Sequence, residues 1–243
     1  MKSRFYRFLI LALGLFFLLP ENAGAQVITG SKNIVETTFD ITDFHTILLR
    51  DAYDLEVTQS DEYKVVVVHD DNIKEYLKVS KDKKTLDIQL DKAYEFYDIE
   101  LTVKVSLPVL RELTANGSGE ISIPEVKSDS LFIKMLGASE MTCSVEIAEY
   151  LAIAINGAAQ VYIDGTAENA DMDLGGAGKL VGEDFTVENE LSIRGSGAGT
   201  VELVANGDIR VNLKGAASVI YYGNAIVVEE VTSDMSGIRR ETR

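Results

Sequence analysis

The stretch INGAAQVYI, residues 155–163, places a short apolar alternation, a corner of small residues and a second alternation in one phrase. Close variants recur: ANGSGEISI at 115–123, MLGASEMTC at 135–143, LGGAGKLVG at 174–182, GSGAGTVEL at 195–203 and LKGAASVIY at 213–221. Their corner glycines are Gly117, Gly137, Gly157, Gly176, Gly197 and Gly215, spaced 20, 20, 19, 21 and 18 residues apart. A fixed period of about 20 residues is the mark of a solenoid. Apolar pairs two residues apart precede the corners: Leu113/Ala115, Ile133/Met135, Ile153/Ile155, Met172/Leu174 and Val211/Leu213. Others follow them: Ile121/Ile123, Met141/Cys143, Val161/Ile163, Val201/Leu203 and Val219/Tyr221. Period-two alternation turns one strand face inward. The intervening positions, such as Thr114, Lys134, Asp173, Arg194 and Asn212, are polar and outward.

A strand, a corner, a strand and a third short side every 20 residues describe one coil of an all-β, right-handed parallel β-helix. Coils stack roughly 4.8 Å apart, each strand bonded to its equivalent in the next. Glycine at every corner permits left-handed or otherwise special backbone angles. Ala and Ser beside it let coils approach. A flexible glycine-rich linker would share the glycines but has no reason to keep apolar columns.

The register extends backwards. ILLRDAYDLEV, 47–57, overlays LTANGSGEISI, 113–123, with Asp51 at the glycine position; Asp tolerates unusual backbone angles better than most residues. EYKVVVVHD and TLDIQL are strand-like, DNIKEYL between them suggests a short helix capped by Asp71 or Asn72, and KDKK at 81–84 is a hairpin turn. IELTVKVSLP, 99–108, is an alternating strand ended by Pro108. The expected organisation is a signal peptide at 1–25, a lead at 26–37 and one domain at 38–243. Within that domain an irregular β cap spans 38–110, regular coils span 111–225, and a C-terminal cap and tail span 226–243. The last segment carries a Ser236-Gly237 corner, and Arg239, Arg240, Glu241 and Arg243 would discourage end-to-end stacking.

Lys2, Arg4 and Arg7, the apolar run 8–19 and the AGA before Gln26 fit a secretory signal cleaved after Ala25. The run is shorter than the ~20 residues of a membrane helix. No Cys follows it, so no lipoprotein anchor is expected, and no later segment could span a bilayer as a helix. The 243-residue chain carries a net charge of −16, and loss of Lys2, Arg4, Arg7 and Glu21 makes it −18. Such a surface repels nucleic acid and anionic lipid. Cys143 is the sole cysteine; no intramolecular disulfide can form, and the register points it inward.

Enzymes on β-helices need paired carboxylates, or calcium with a basic residue, on one outer face. Asp171 and Asp173 are the best candidates, with Arg194 and Arg210 in neighbouring columns. A surface ladder of opposite charges explains them more simply, and the remaining oxygen ligands of a calcium site are missing. His69-Asp70-Asp71 is best read as a solvated turn. No nucleophile elbow, zinc cluster or phosphate loop is present. Tyr94 and Phe96 share one strand face while Tyr97 points the other way; they could stack on sugar rings, although packing at the cap edge is the more ordinary reading. The candidate binding residues are therefore Tyr94, Tyr97, Asp171, Asp173 and Arg194, with no catalytic residue, metal or cofactor.

Phe44-x-x-Ile47, Leu107-Pro108-x-Leu110, Asn116-Gly117-Ser118-Gly119, the repeated Gly-Ala/Ser corners and Tyr221-Tyr222-Gly223 together resemble the head GIN domain family of autotransporter-adhesin-labelled exported Bacteroidetes proteins. The resemblance covers residues 38–240. It implies a β-helical fold and an exported location in the periplasm, at the outer-membrane surface or outside the cell. It supplies no catalytic residues. The expected function is non-enzymatic recognition of a glycan, or of an envelope or host protein, by the long outer faces. A polysaccharide lyase or glycosidase and a structural envelope-assembly role are the alternatives.

Overall fold

The computed structural model describes residues 26–51, 53–233 and 235–242. The expected signal peptide and Arg243 lie outside them. The described residues are 69% strand and 3% helix, which rules out a mixed fold, and they wind into a β-solenoid of about six turns.

Two strand faces run the length of the stack. On the first face, Glu112–Asn116 pairs parallel with the Phe132–Met135 end of Glu120–Met135. That register continues through Ile133↔Ile153, Ile153↔Met172, Met172↔Ile193 and Ile193↔Val211. On the second face, Ile121↔Met141, Met141↔Val161, Val161↔Leu180, Leu180↔Val201 and Val201↔Val219 are aligned. Every apolar pair singled out by the 20-residue repeat is buried, Tyr221 being the most exposed at 7%. Cys143 is among them, and burial pushes its thiol up to about 12. At about 1.5–3 kcal/mol per fully buried large side chain, these columns carry the fold.

The stack continues below the repeats. Thr46–Arg50 pairs parallel with Glu112–Asn116, and Asp54–Gln59 meets Ile121 and Ser122, in the offset expected from the 47–57 overlay. Thr85–Leu90 and Leu101–Leu107 stack beneath these two strands, also parallel. The N-terminal layer is therefore part solenoid and part cap. The cap is antiparallel: Ile34–Phe39 on Lys64–Asp70, Lys64–Asp70 on Leu101–Leu107, and the hairpin Leu77–Asp82 with Thr85–Leu90. The short helix is a 3-10 turn, Asp71–Tyr76, whose preceding residue Asp70 makes no side-chain cap. Gln26–Thr29 and Tyr94–Tyr97 form a separate two-stranded sheet.

The corners differ from expectation in one respect. Of the six corner glycines only Gly215, with φ 85°, is left-handed. The others are needed for close approach. A Cβ on Gly137 would stand 1.7 Å from the Gly117 carbonyl oxygen, and one on Gly157 2.1 Å from that of Gly137. These carbonyls accept the amides of Ala138 and Ala158, both at 3.0 Å, so the corners stack as a backbone ladder. Asp51, in the glycine position of its own coil, has φ 78°.

His69-Asp70 is not a solvated turn. Both residues are fully buried. The Asp70 carboxylate accepts the amides of Lys32 (2.5 Å) and Glu100 (2.7 Å), and His69 contacts Thr37 Oγ1 at 2.9 Å. Asp71 takes hydrogen bonds from Ser31 and Asn33. A buried carboxylate needs such partners; here they tie residues 29–33 and 98–100 to the cap.

At the other end, Ile226–Thr232 pairs with Asp208–Leu213 and Gly237–Arg240 with Ser218–Tyr222. Ser233 and Ser236 bond back to the Gly215 and Leu213 carbonyls, making the expected last corner. Ile226, Val228, Val231 and Met235 are exposed on this terminal coil.

Candidate functional site

Outward positions of the first face form a shallow groove of about 320 Å³. Its floor is Ala152 and Ala154, the outward residues of LAIAI, 151–155. On one side stand Phe132 and Tyr150, ring centroids 5.9 Å apart and tilted by 52°. On the other stand Asp171, Asp173 and Arg194, one and two strands further along. Phe132 is 46% exposed at a position where the alternation calls for a polar residue.

Asp171 is fixed from both sides. Arg194 Nη2 donates to its Oδ2 at 3.0 Å, and Arg194 Nη1 reaches Ser192 Oγ at 3.4 Å. The Tyr150 hydroxyl turns towards the same carboxylate. Burial first, and then hydrogen bonding to Asp171, raise the Tyr150 pKa above the ordinary tyrosine value. The row Tyr150–Asp171–Arg194 is thus prearranged, its aromatic end continuing into Phe132. Asp173 and Lys134, which also line the groove, have no side-chain partner among the described residues. Such a surface can stack a flat apolar ligand face on an aromatic ring while offering charged and hydroxyl groups at its rim.

The structure brings three of the sequence-derived candidates, Asp171, Asp173 and Arg194, into this groove. Of the charges in the expected ladder, Arg194 pairs with Asp171, while Arg210 turns to Glu190, a residue outside that reading. Tyr94 and Tyr97 are elsewhere. Tyr94 stacks on Tyr76 at 4.5 Å, beside Phe96, and lines a separate cavity of about 360 Å³ next to the cap. Tyr97 is 68% exposed on the outer side of that sheet. Five strand spacings separate the Thr85–Leu90 coil from that of Asp171 along the first face, on the order of 24 Å. Phe132 and Tyr150 escaped the sequence reading. The signal was present as Phe132 at an outward position of LFIKM and as two outward alanines in LAIAI.

Among the described residues, no group of three or more His, Cys, Asp or Glu side chains is placed to hold a metal, and no helix is long and apolar enough to cross a membrane.

A parallel β-solenoid with a shallow aromatic and charged groove on one outer face is the class these observations define. Residues 43–225 match the family described as "Putative auto-transporter adhesin, head GIN domain", and the chain belongs to that family. Solved structures share its fold. A "putative adhesin" from Bacteroides fragilis is 20% identical, with a TM-score of 0.80, over 89% of this chain and 100% of that one. A "putative adhesin" from Parabacteroides distasonis is 17% identical (TM-score 0.66), and a "putative lipid binding protein" from the same species is 20% identical (TM-score 0.64). Both comparisons again cover 89% of this chain and 100% of the other. No curated protein matches the chain.

Proposed function

We propose that this chain is an exported, non-enzymatic recognition module that binds a glycan in the Phe132–Arg194 groove. The observation that carries this reading is the exposed Phe132 ring beside Tyr150, over an alanine floor and opposite the fixed Asp171–Arg194 pair. A pyranose ring presents an apolar face of C–H groups to an aromatic ring and hydroxyls at its edge to charged groups. Binding through a shallow face uses many modest contacts rather than a deep pocket. Glycoside hydrolysis needs two carboxylates free to act on either side of the scissile bond; here Asp171 is held by Arg194 and Tyr150, which favours a binder. Membership of an adhesin-named family agrees with recognition at the cell envelope. Export rests on the basic start, apolar run and AGA of residues 1–25.

The test is a broad glycan array probed with residues 26–243, wild type and Phe132→Ala, with calcium and with EDTA. The proposal expects saturable wild-type binding, unaffected by EDTA and weakened at least about tenfold in the variant, a loss of about 1.4 kcal/mol. Equal binding by the two proteins would remove the groove, and no binding would remove glycan recognition. N-terminal sequencing of the exported protein should begin at Gln26; an intact Met1 would contradict cleavage.

A further inference from the structure

We infer that the groove is one end of a longer channel, and that its ligand is a linear polysaccharide chain without anionic groups, lying around the bend of the solenoid. This rests on the glycan reading above and goes beyond it in naming chain form and charge.

The strand register slips at the bend leading into the first face. Ser128 and Ser130 pair with Ile147 and Tyr150, so one residue, Asp129, faces two, Ala148 and Glu149. Ile147 and Tyr150 pair with Ala167 and Asn169, leaving Glu168 alone against the same two. Ala167 and Asn169 pair with Val187 and Glu190, so Glu168 again faces two, Glu188 and Asn189. Short and bulged coils alternate. Bulges re-aim side chains and concentrate beside functional sites. A short coil beside a bulged one leaves a notch, and there is a cavity at each notch. One, of about 490 Å³, has Glu168 between Ala148 and Glu188; another, of about 380 Å³, has Asp129 beside Glu149 and Arg111.

The cavities adjoin. Lys127, Ser128 and Asp129 line both notches, and Phe132 lines the second notch and the groove of Tyr150 and Arg194. The bulged coil contributes to all three through Glu146–Ala148, Glu149 and Tyr150 in turn. A single compact sugar fills one of these spaces. A linear chain fills the series, with Phe132 as the stacking platform at the junction. The first notch also selects on charge. Asp129, Glu146, Glu168 and Glu188 face it, and Lys127 is already paired with Glu125 and Glu146. An anionic chain would be repelled, whereas carboxylates accept hydrogen bonds from the hydroxyls of a neutral one.

The test is calorimetric titration of residues 26–243 with cello-, xylo-, manno- and malto-oligosaccharides of about two to six units, beside oligogalacturonates and chitosan oligomers. In the series that binds, affinity should rise about tenfold or more with length. Asp129→Arg, at an exposed residue shared by both notches and outside the groove of Tyr150 and Arg194, should abolish that rise while leaving the shortest ligand bound as in wild type. Glu168→Arg should do the same from the far side, and matching unfolding transitions would show that both variants fold. Length-independent affinity, equal weakening of all lengths, or tighter binding of the oligogalacturonates than of the other series would overturn the inference. If none of these chains binds but the array retains a branched or terminal glycan, the linear chain is wrong and the glycan reading stands. If the array is also silent, both fall.

Discussion

Along the corner edge of the solenoid, each glycine carbonyl occupies the space where the next glycine would carry a Cβ, and accepts an amide of the coil above. Along the bend between the third side and the first face, the register slips by a residue at alternate coils and leaves cavities. The same 20-residue repeat builds both edges. At the corner it leaves no freedom, because backbone packs directly on backbone. At the bend, side chains fill the space, so one coil can gain or lose a residue without breaking the stack. At the far end of the third side, Phe185 stands in register with Gly165 of the neighbouring coil, and Phe185 is fully buried. A solenoid of this kind keeps its fold on one edge and can vary its ligand chemistry on the other.

Four substitutions probe that contrast, in order of expected damage. Gly137→Val puts a side chain 1.7 Å from the Gly117 carbonyl oxygen. It should cost about 4 kcal/mol or more, read by urea denaturation; a loss under about 1 kcal/mol would show that the corner can open. Phe185→Ala removes the large buried side chain of the third side and should cost about 3–5 kcal/mol without abolishing folding. A near-neutral result would mean that the third side collapses to fill the space. Asp70→Ala strips the Lys32 and Glu100 amides of their acceptor. About 2 kcal/mol should be lost, with early loss of protection in residues 29–33 and 98–100 by hydrogen exchange. Phe132→Ala, on the exposed face, should change stability by less than about 0.5 kcal/mol while weakening ligand binding; a large stability loss would make Phe132 a packing residue.

The solenoid was legible because a coil is a local event that repeats. Ile153/Ile155 and Val161/Ile163 around Gly157 state the inward pattern once, and five other phrases restate it. Asp51 could be placed because its flanking apolar residues keep the offset. The burial of His69 and Asp70 was not legible. Their partners, Thr37, Lys32 and Glu100, are distant in sequence and lie in strands and loops outside the repeat. At the site, the outward placement of Asp171, Asp173 and Arg194 on one face follows from the column arithmetic, but the columns set Arg194 opposite Asp173, and its diagonal reach to Asp171 is a side-chain choice that the pattern does not state. Tyr150 did not, because its place depends on the extra residue at Ala148–Glu149, which no local pattern announces. Tyr94 and Tyr97 are a cluster in sequence only: one strand face packs on Tyr76 and the other meets solvent on the cap.

Hydroxyl-radical footprinting with and without the glycan that the array retains tests the central claim most directly. It reads side-chain exposure at Phe132 and Tyr150 in the groove and at Tyr97 on the cap within one sample. The account predicts that the ligand protects Phe132 and Tyr150 and leaves Tyr97 oxidised as before. Protection of Tyr97 with Phe132 unchanged would place recognition on the cap and contradict the account.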